Sequence, residues 1–116
     1  MSQADDAEMF GEMFKFMQAC VHSNAKAHGW HDTPVDPVTA LALIHCEVSE
    51  AVEGLRHGNP ASEHIPHFSA IEEELADIVI RCMDLSAAKG YRLADAIIEK
   101  HEFNKTRTHR HGEKKF

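Results

Sequence analysis

The chain has 116 residues, 43% of them hydrophobic, with 12 Lys+Arg against 19 Asp+Glu and a formal net charge of −7. This length fits one domain spanning residues 1–116 and excludes a multidomain enzyme. No apolar run approaches the roughly 20 residues of a membrane span, Met1 to Asp6 are too polar for a signal peptide, and the acidity argues against a nucleic-acid partner.

No stretch alternates with period 2 between turn signals, so no strand is predicted. Helical periodicity appears four times. The first segment covers about Ala7 to Ala27, with Met9, Met13, Phe16, Met17 and Cys20 on one side, and His28-Gly29 closes it. A loop around Trp30-His31-Asp32 follows. Asp36-Pro37 reads as an N-cap with proline at the first helical position. The second helix then runs to about His57, with Leu41, Ile44, Val48, Ala51, Val52 and Leu55 as its apolar stripe and Gly58 as its stop.

Asn59-Pro60 and Pro66 mark a loop over residues 58–68. Ser69 with Glu72 forms a capping box that opens a third helix through Ile71, Leu75, Ile78, Val79, Cys82 and Leu85, ended by Lys89-Gly90. A fourth helix covers about Leu93 to Lys105. Residues 1–6 and about 108–116 read as flexible tails. The basic end from Lys105 to Phe116 is either a solvated terminus or a phosphate-facing arm.

Cys20, Cys46 and Cys82 form no CxxC pair and no disulfide framework. Each lies in an apolar-periodic segment, which reads as buried free thiols in a reducing cytoplasm. A domain this small buries a limited share of its surface, so self-association is expected.

The charge is not spread evenly. Residues 47–77 hold eight acids (Glu47, Glu50, Glu53, Glu63, Glu72, Glu73, Glu74, Asp77) and one base, Arg56, which accounts for the whole excess of −7. Glu47 and Glu50 are three apart on the second helix, and Glu74 and Asp77 are three apart on the third, so each pair shares a helix face. Both pairs border an apolar stripe. If the two helices pack antiparallel, the pairs converge. Carboxylates a few ångströms apart repel by roughly 3 kcal/mol per pair at an effective dielectric near 20. A divalent cation is the natural counter-charge, and all-oxygen ligation selects Mg²⁺ or Mn²⁺. The competing reading is a solvated acidic helix face, with Glu72-Glu73-Glu74 placed in a first turn by the helix dipole.

Glu47-x-x-Glu50 followed by Glu74-x-x-Asp77 resembles the ExxE…ExxD signature of the MazG-like, all-α nucleoside triphosphate pyrophosphohydrolases. Glu73-Glu74-Leu75-Ala76-Asp77-Ile78 looks like that family's EELADI-type helix, and Asp84-Leu85 with Lys89-Gly90 like its continuation. Lys100, Asn104 and Arg107 fit its Lys-x-x-x-Asn-x-x-Arg pattern. Arg92 departs from the apolar or small residue usual in relatives. The resemblance covers residues 40–107 and points to the small single-domain branch.

It implies an all-α, four-helix bundle-like fold, assembled as a homodimer or a dimer of dimers with sites near subunit interfaces. It also implies Mg²⁺ on Glu47, Glu50, Glu74 and Asp77, and cleavage of a (d)NTP to the (d)NMP and pyrophosphate. Lys100, Asn104 and Arg107 would contact the phosphates. Glu47 and Glu50 would be the catalytic carboxylates, Glu50 being the general base because crowding by Glu53, one turn on, raises its pKa.

Trp30 either stacks on the nucleobase or caps the core. Phe10, Phe14 and Phe16 read as core or subunit interface. The ten histidines include no HExxH and no Cys/His quartet with structural-zinc spacing, so no zinc site is predicted. The alternative to an enzyme is a non-catalytic helical module that binds nucleotide or metal for regulation.

Overall fold

The helix boundaries in the middle of the chain follow its capping residues. Asp36 accepts from the Val38 N–H at 3.3 Å and the Thr39 hydroxyl at 2.7 Å, and Pro37 is the first helical residue. Ser69 accepts from the Glu72 N–H while the Glu72 carboxylate accepts from the Ser69 N–H at 3.1 Å, a complete capping box. Gly90 ends that helix in the left-handed conformation, φ 73°.

The computed structural model describes residues 2–116 and among them has five helices and no strand. They are α1 (Gln3–Ala27), α2 (Pro37–Arg56), α3 (Ala70–Lys89), α4 (Leu93–Lys105) and α5 (Arg110–Glu113). The all-α class and the four main helices agree with the pattern in the sequence. Two ends differ. α1 starts about four residues before Ala7, because Ser2 and Asp5 cap it reciprocally: the Asp5 N–H donates to Ser2 Oγ at 3.1 Å and the Ser2 N–H to Asp5 Oδ2 at 3.2 Å. Residues 3–6 are therefore helix rather than tail. α5 adds one short turn at the other end, with left-handed backbone at His111 and Gly112.

The chain divides into two compact units: Gln18–Tyr91, and the described residues up to Met17 with Arg92–Phe116. In the second of these, Gly11 is buried, and a Cβ there would lie 3.7 Å from Ile98 Cδ1, so α1 and α4 pack across it. Lys15 Nζ and Asp95 Oδ1 pair at 3.2 Å beside this contact.

In the Gln18–Tyr91 unit, α2 packs on α3. Gly54 of α2 meets Ala70 of α3 so closely that a Cβ at Gly54 would lie 3.3 Å from that of Ala70. Farther along, Glu47 meets Arg81. Residue numbers thus fall along one helix as they rise along the other, and the pair is antiparallel. The loop between them reverses through Gly58 and Asn59, both left-handed, and Asn59 Oδ1 accepts from the Ile71 N–H at 2.9 Å.

The seam shares only Ile44 and Ala51 with the predicted stripe. On α2 it runs through Ile44, Glu47, Ala51 and Gly54, which are buried or half-buried. Leu41, Val48, Val52 and Leu55 stay exposed. The small residues Ala51 and Gly54 let the backbones approach, and the carboxylate of Glu47 occupies the middle of the contact. Met9, Met13, Phe16 and Met17 on α1, and Leu75, Val79 and Ile80 on α3, are also exposed. The cysteines are free, but Cys20 and Cys46 are exposed and Cys82 is half-buried. The expected burial of all three fails because the single chain leaves much of its apolar periodic surface uncovered.

Candidate functional site

The cap at Asp36 and the box at Ser69 fix where each helix begins, and so which side chains face the seam. Glu47 and Glu50 come from one side, Glu74 from the other. One carboxylate oxygen from each lies within 4.8 Å of the other two. Glu47 is buried at 8% exposure, Glu74 is half-buried and Glu50 is exposed. Asp77 is half-buried and stands outside this group of three. Its carboxyl is raised, first by burial and then by the charges of Glu47 and Glu73.

Sequence reasoning missed Arg81. Its Nε donates to Glu47 Oε1 at 2.9 Å. Arg81 follows Asp77 by four residues and Glu74 by seven, so it lies on the same face of α3. That spacing was visible in the sequence, but a charge count closed at residue 77 leaves it out.

The three glutamates titrate as a group. Burial works to raise the Glu47 carboxyl, but hydrogen bonding with Glu74, Arg81 and Glu50 outweighs it and holds the group below its ordinary value. Glu50 is raised, by hydrogen bonding with Glu47 and then by the charge of Glu47, rather than by Glu53. Glu74 is pushed up to about 7, first by burial, then by a proton shared with Glu47 and by the charges of Glu50, Glu47 and Asp77. Glu74 Oε2 is buried and has no hydrogen-bond partner among the described residues. Near neutral pH the seam thus holds a proton where full ionisation is too costly.

The run Glu72-Glu73-Glu74 divides into three tasks. Glu72 caps Ser69. Glu73 fastens the loop: Ser62 Oγ donates to Glu73 Oε2 at 2.6 Å, and His64 Nδ1 lies 2.6 Å from Oε1. These bonds lower the Glu73 carboxyl, and the same carboxylate raises His64. Only Glu74 enters the cluster.

The donor set fits a hard divalent cation. Oxygens around one Mg²⁺ lie about 3–4 Å apart, so modest closure of the cluster suffices. Arg81 engages Glu47 Oε1 and leaves Oε2. An ion there would replace the shared proton and give the orphaned Glu74 oxygen a partner.

Lys100, Asn104 and Arg107 lie in the other unit, where Lys100 and Arg107 pack on Phe103. Lys100 Nζ sits 4.6 Å from the Phe103 ring centroid and the Arg107 guanidinium carbon 5.6 Å from it. Asn104 Oδ1 is buried without a hydrogen-bond partner among the described residues. Trp30 is 73% exposed, which removes the core-capping alternative and leaves its face open. A second cluster, His22, His31 and Asp84, was not anticipated, because its members are far apart in the sequence. No family model, no curated protein and no solved structure matches this chain.

Proposed function

We propose that the protein is a Mg²⁺-dependent nucleoside triphosphate pyrophosphohydrolase of the MazG-like, all-α kind, which converts a (d)NTP and water to the (d)NMP and pyrophosphate. One observation carries this reading: Glu47, Glu50 and Glu74 converge at a helix seam, with Glu74 Oε2 buried and unpartnered. A triphosphate carries about four negative charges, so an acidic site accepts it only with an intervening cation. Glu47, Glu50 and Glu74 would hold Mg²⁺, with Asp77 beside them and Mn²⁺ as a substitute; the ion supplies neutralisation of phosphate oxygens and acidification of water.

Glu50 is the general base. It is exposed to arriving water, its carboxyl is raised by Glu47, and Arg81 bonds to Glu47 instead of to it. Arg81 holds the Glu47 carboxylate in one orientation. Lys100, Asn104 and Arg107 are the proposed phosphate ligands, and the two cations balance charge on the departing pyrophosphate. Trp30 offers an open ring for stacking on the base.

The exposed apolar stripes of α1, α2 and α3 support a homodimer or a dimer of dimers, in which they are covered. Among the described residues no helix is long and apolar enough to cross a membrane. Three free thiols favour a reducing cytoplasm. Removal of surplus or noncanonical dNTPs fits that setting.

The test is incubation of purified protein with a panel of dNTPs and Mg²⁺, with separation of the products. Monophosphate and pyrophosphate in equal amounts are expected from at least one nucleotide. Orthophosphate release would mean another bond is cut. Absence of cleavage with Mg²⁺ binding retained would leave the regulatory module in place of the enzyme.

A further inference from the structure

His22 lies in the C-terminal half of α1, His31 in the turn after it, and Asp84 on α3, all within the Gln18–Tyr91 unit. His22 Nδ1 lies 2.9 Å from Asp84 Oδ1. His31 Nε2 lies 2.9 Å from both Oδ1 and Oδ2 of the same carboxylate. The two rings meet edge to face, with centroids 4.6 Å apart. Their side chains are 20% and 12% exposed, and that of Asp84 is 24% exposed, so the cluster is sheltered but not sealed.

We propose that His22, His31 and Asp84 form a second metal site, separate from the carboxylates of α2 and α3, that binds Zn²⁺. Each residue offers one ligand atom, and the three atoms lie within 4.8 Å of one another. Donors on a tetrahedral zinc, at about 2.0–2.2 Å from the ion, stand about 3.3–3.6 Å apart. The nitrogen-to-oxygen spacings of 2.9 Å therefore need to open by only a few tenths of an ångström.

The donor types set the selectivity. Two imidazoles and one carboxylate suit Zn²⁺, whereas Mg²⁺ prefers oxygen alone. A zinc with three protein ligands keeps a fourth position for water, so the site is open. Zinc binds a ring nitrogen that carries no proton, so each neutral ring would present its N–H on the other nitrogen when the ion enters, and the hydrogen bond to Asp84 would give way to the metal. Asp84 stands 62 residues from His22 and 53 from His31. The ion would fasten the end of α1 and the Trp30-His31 turn onto α3, and closing such long loops raises stability.

Trp30 is the single tryptophan, and it precedes His31. It reports on the site directly. Metal-free, untagged, full-length protein is titrated with ZnCl₂, with heat of binding and tryptophan emission recorded together. The expected result is one Zn²⁺ per chain with a saturable change in emission. His22→Gln and His31→Gln should each weaken binding by more than the roughly 10–100-fold typical of losing an outer partner. Glu50→Gln and the double change His109→Gln/His111→Gln should leave it unaltered.

X-ray absorption on zinc-loaded wild-type protein, which needs no variant to fold, should show two imidazole nitrogens at about 2.0 Å. All-oxygen coordination, absence of stoichiometric binding, or binding lost in Glu50→Gln or His109→Gln/His111→Gln but kept in His31→Gln would each overturn the proposal.

Discussion

Two clusters of titratable side chains lie in the Gln18–Tyr91 unit, and α3 contributes to both. At Glu47, Glu50 and Glu74 the groups are all carboxylates, one oxygen is buried without a partner, and Glu74 holds a proton up to about 7. At His22, His31 and Asp84, donors and acceptor match, and each ring nitrogen facing Asp84 is bonded. The first cluster is relieved only in part, by the proton on Glu74 and by Arg81 bonding to Glu47. The second is already satisfied, and a metal must compete with its hydrogen bonds. Unsatisfied charge is what would draw a cation to the first cluster, whereas donor type and spacing would draw one to the second.

The largest expected effect comes from Glu50→Gln. It keeps the shape of the side chain but removes the proposed base, so kcat for the proposed dNTP hydrolysis should fall by about 10²–10⁴-fold. Steady-state assays at saturating Mg²⁺ measure this, with the thermal midpoint of the metal-free variant as a check on folding.

The conflict at Glu74 should also appear as pH-dependent stability. An acid raised in the folded state binds more protons folded than unfolded. Stability of the metal-free protein should therefore fall as pH rises from the ordinary value of 4.5 to about 7. Arg81 and water screen the cluster, which keeps the contribution on the order of 1–2 kcal/mol. Thermal unfolding of wild type and Glu74→Gln across that range checks it: the variant should be more stable near pH 7 and lose this part of the slope.

Arg81→Met is the next smaller test. It removes the cation bonded to Glu47, whose carboxyl then rises because burial is no longer offset by that bond. Since Arg81 is 41% exposed, the cost in urea unfolding should be about 1 kcal/mol rather than that of a fully buried pair. Ser69→Ala should cost about 1 kcal/mol or less by loss of the capping box that starts α3. Because α3 carries both Glu74 and Asp84, that change should leave the relative Mg²⁺ and Zn²⁺ affinities the same.

The helices were legible because their ends depend on local chemistry. Asp36-Pro37, Ser69 with Glu72, and Lys89-Gly90 each act within a few residues, and the structure uses all of them. Convergence of Glu47 and Glu50 with Glu74 was legible from spacing and one short connection. The seam itself was legible only at Ile44 and Ala51. Hydropathy favours Val48 and Val52, yet the backbones meet at Ala51 and Gly54, where small side chains permit approach. Arg81 was hidden by where the charge count ended. His22, His31 and Asp84 were hidden because their meeting is a tertiary event across more than fifty residues, and no motif spacing encodes it.

A cation is proposed to take the place of the shared proton among Glu47, Glu50 and Glu74. Calorimetric titration of Mg²⁺ into the protein at pH 7, in two buffers of different ionisation heat, measures that exchange. Binding is expected with proton release in the wild type, and without that release in Glu74→Gln. Mg²⁺ binding with no proton released from the wild type, or equal release from both proteins, would contradict it.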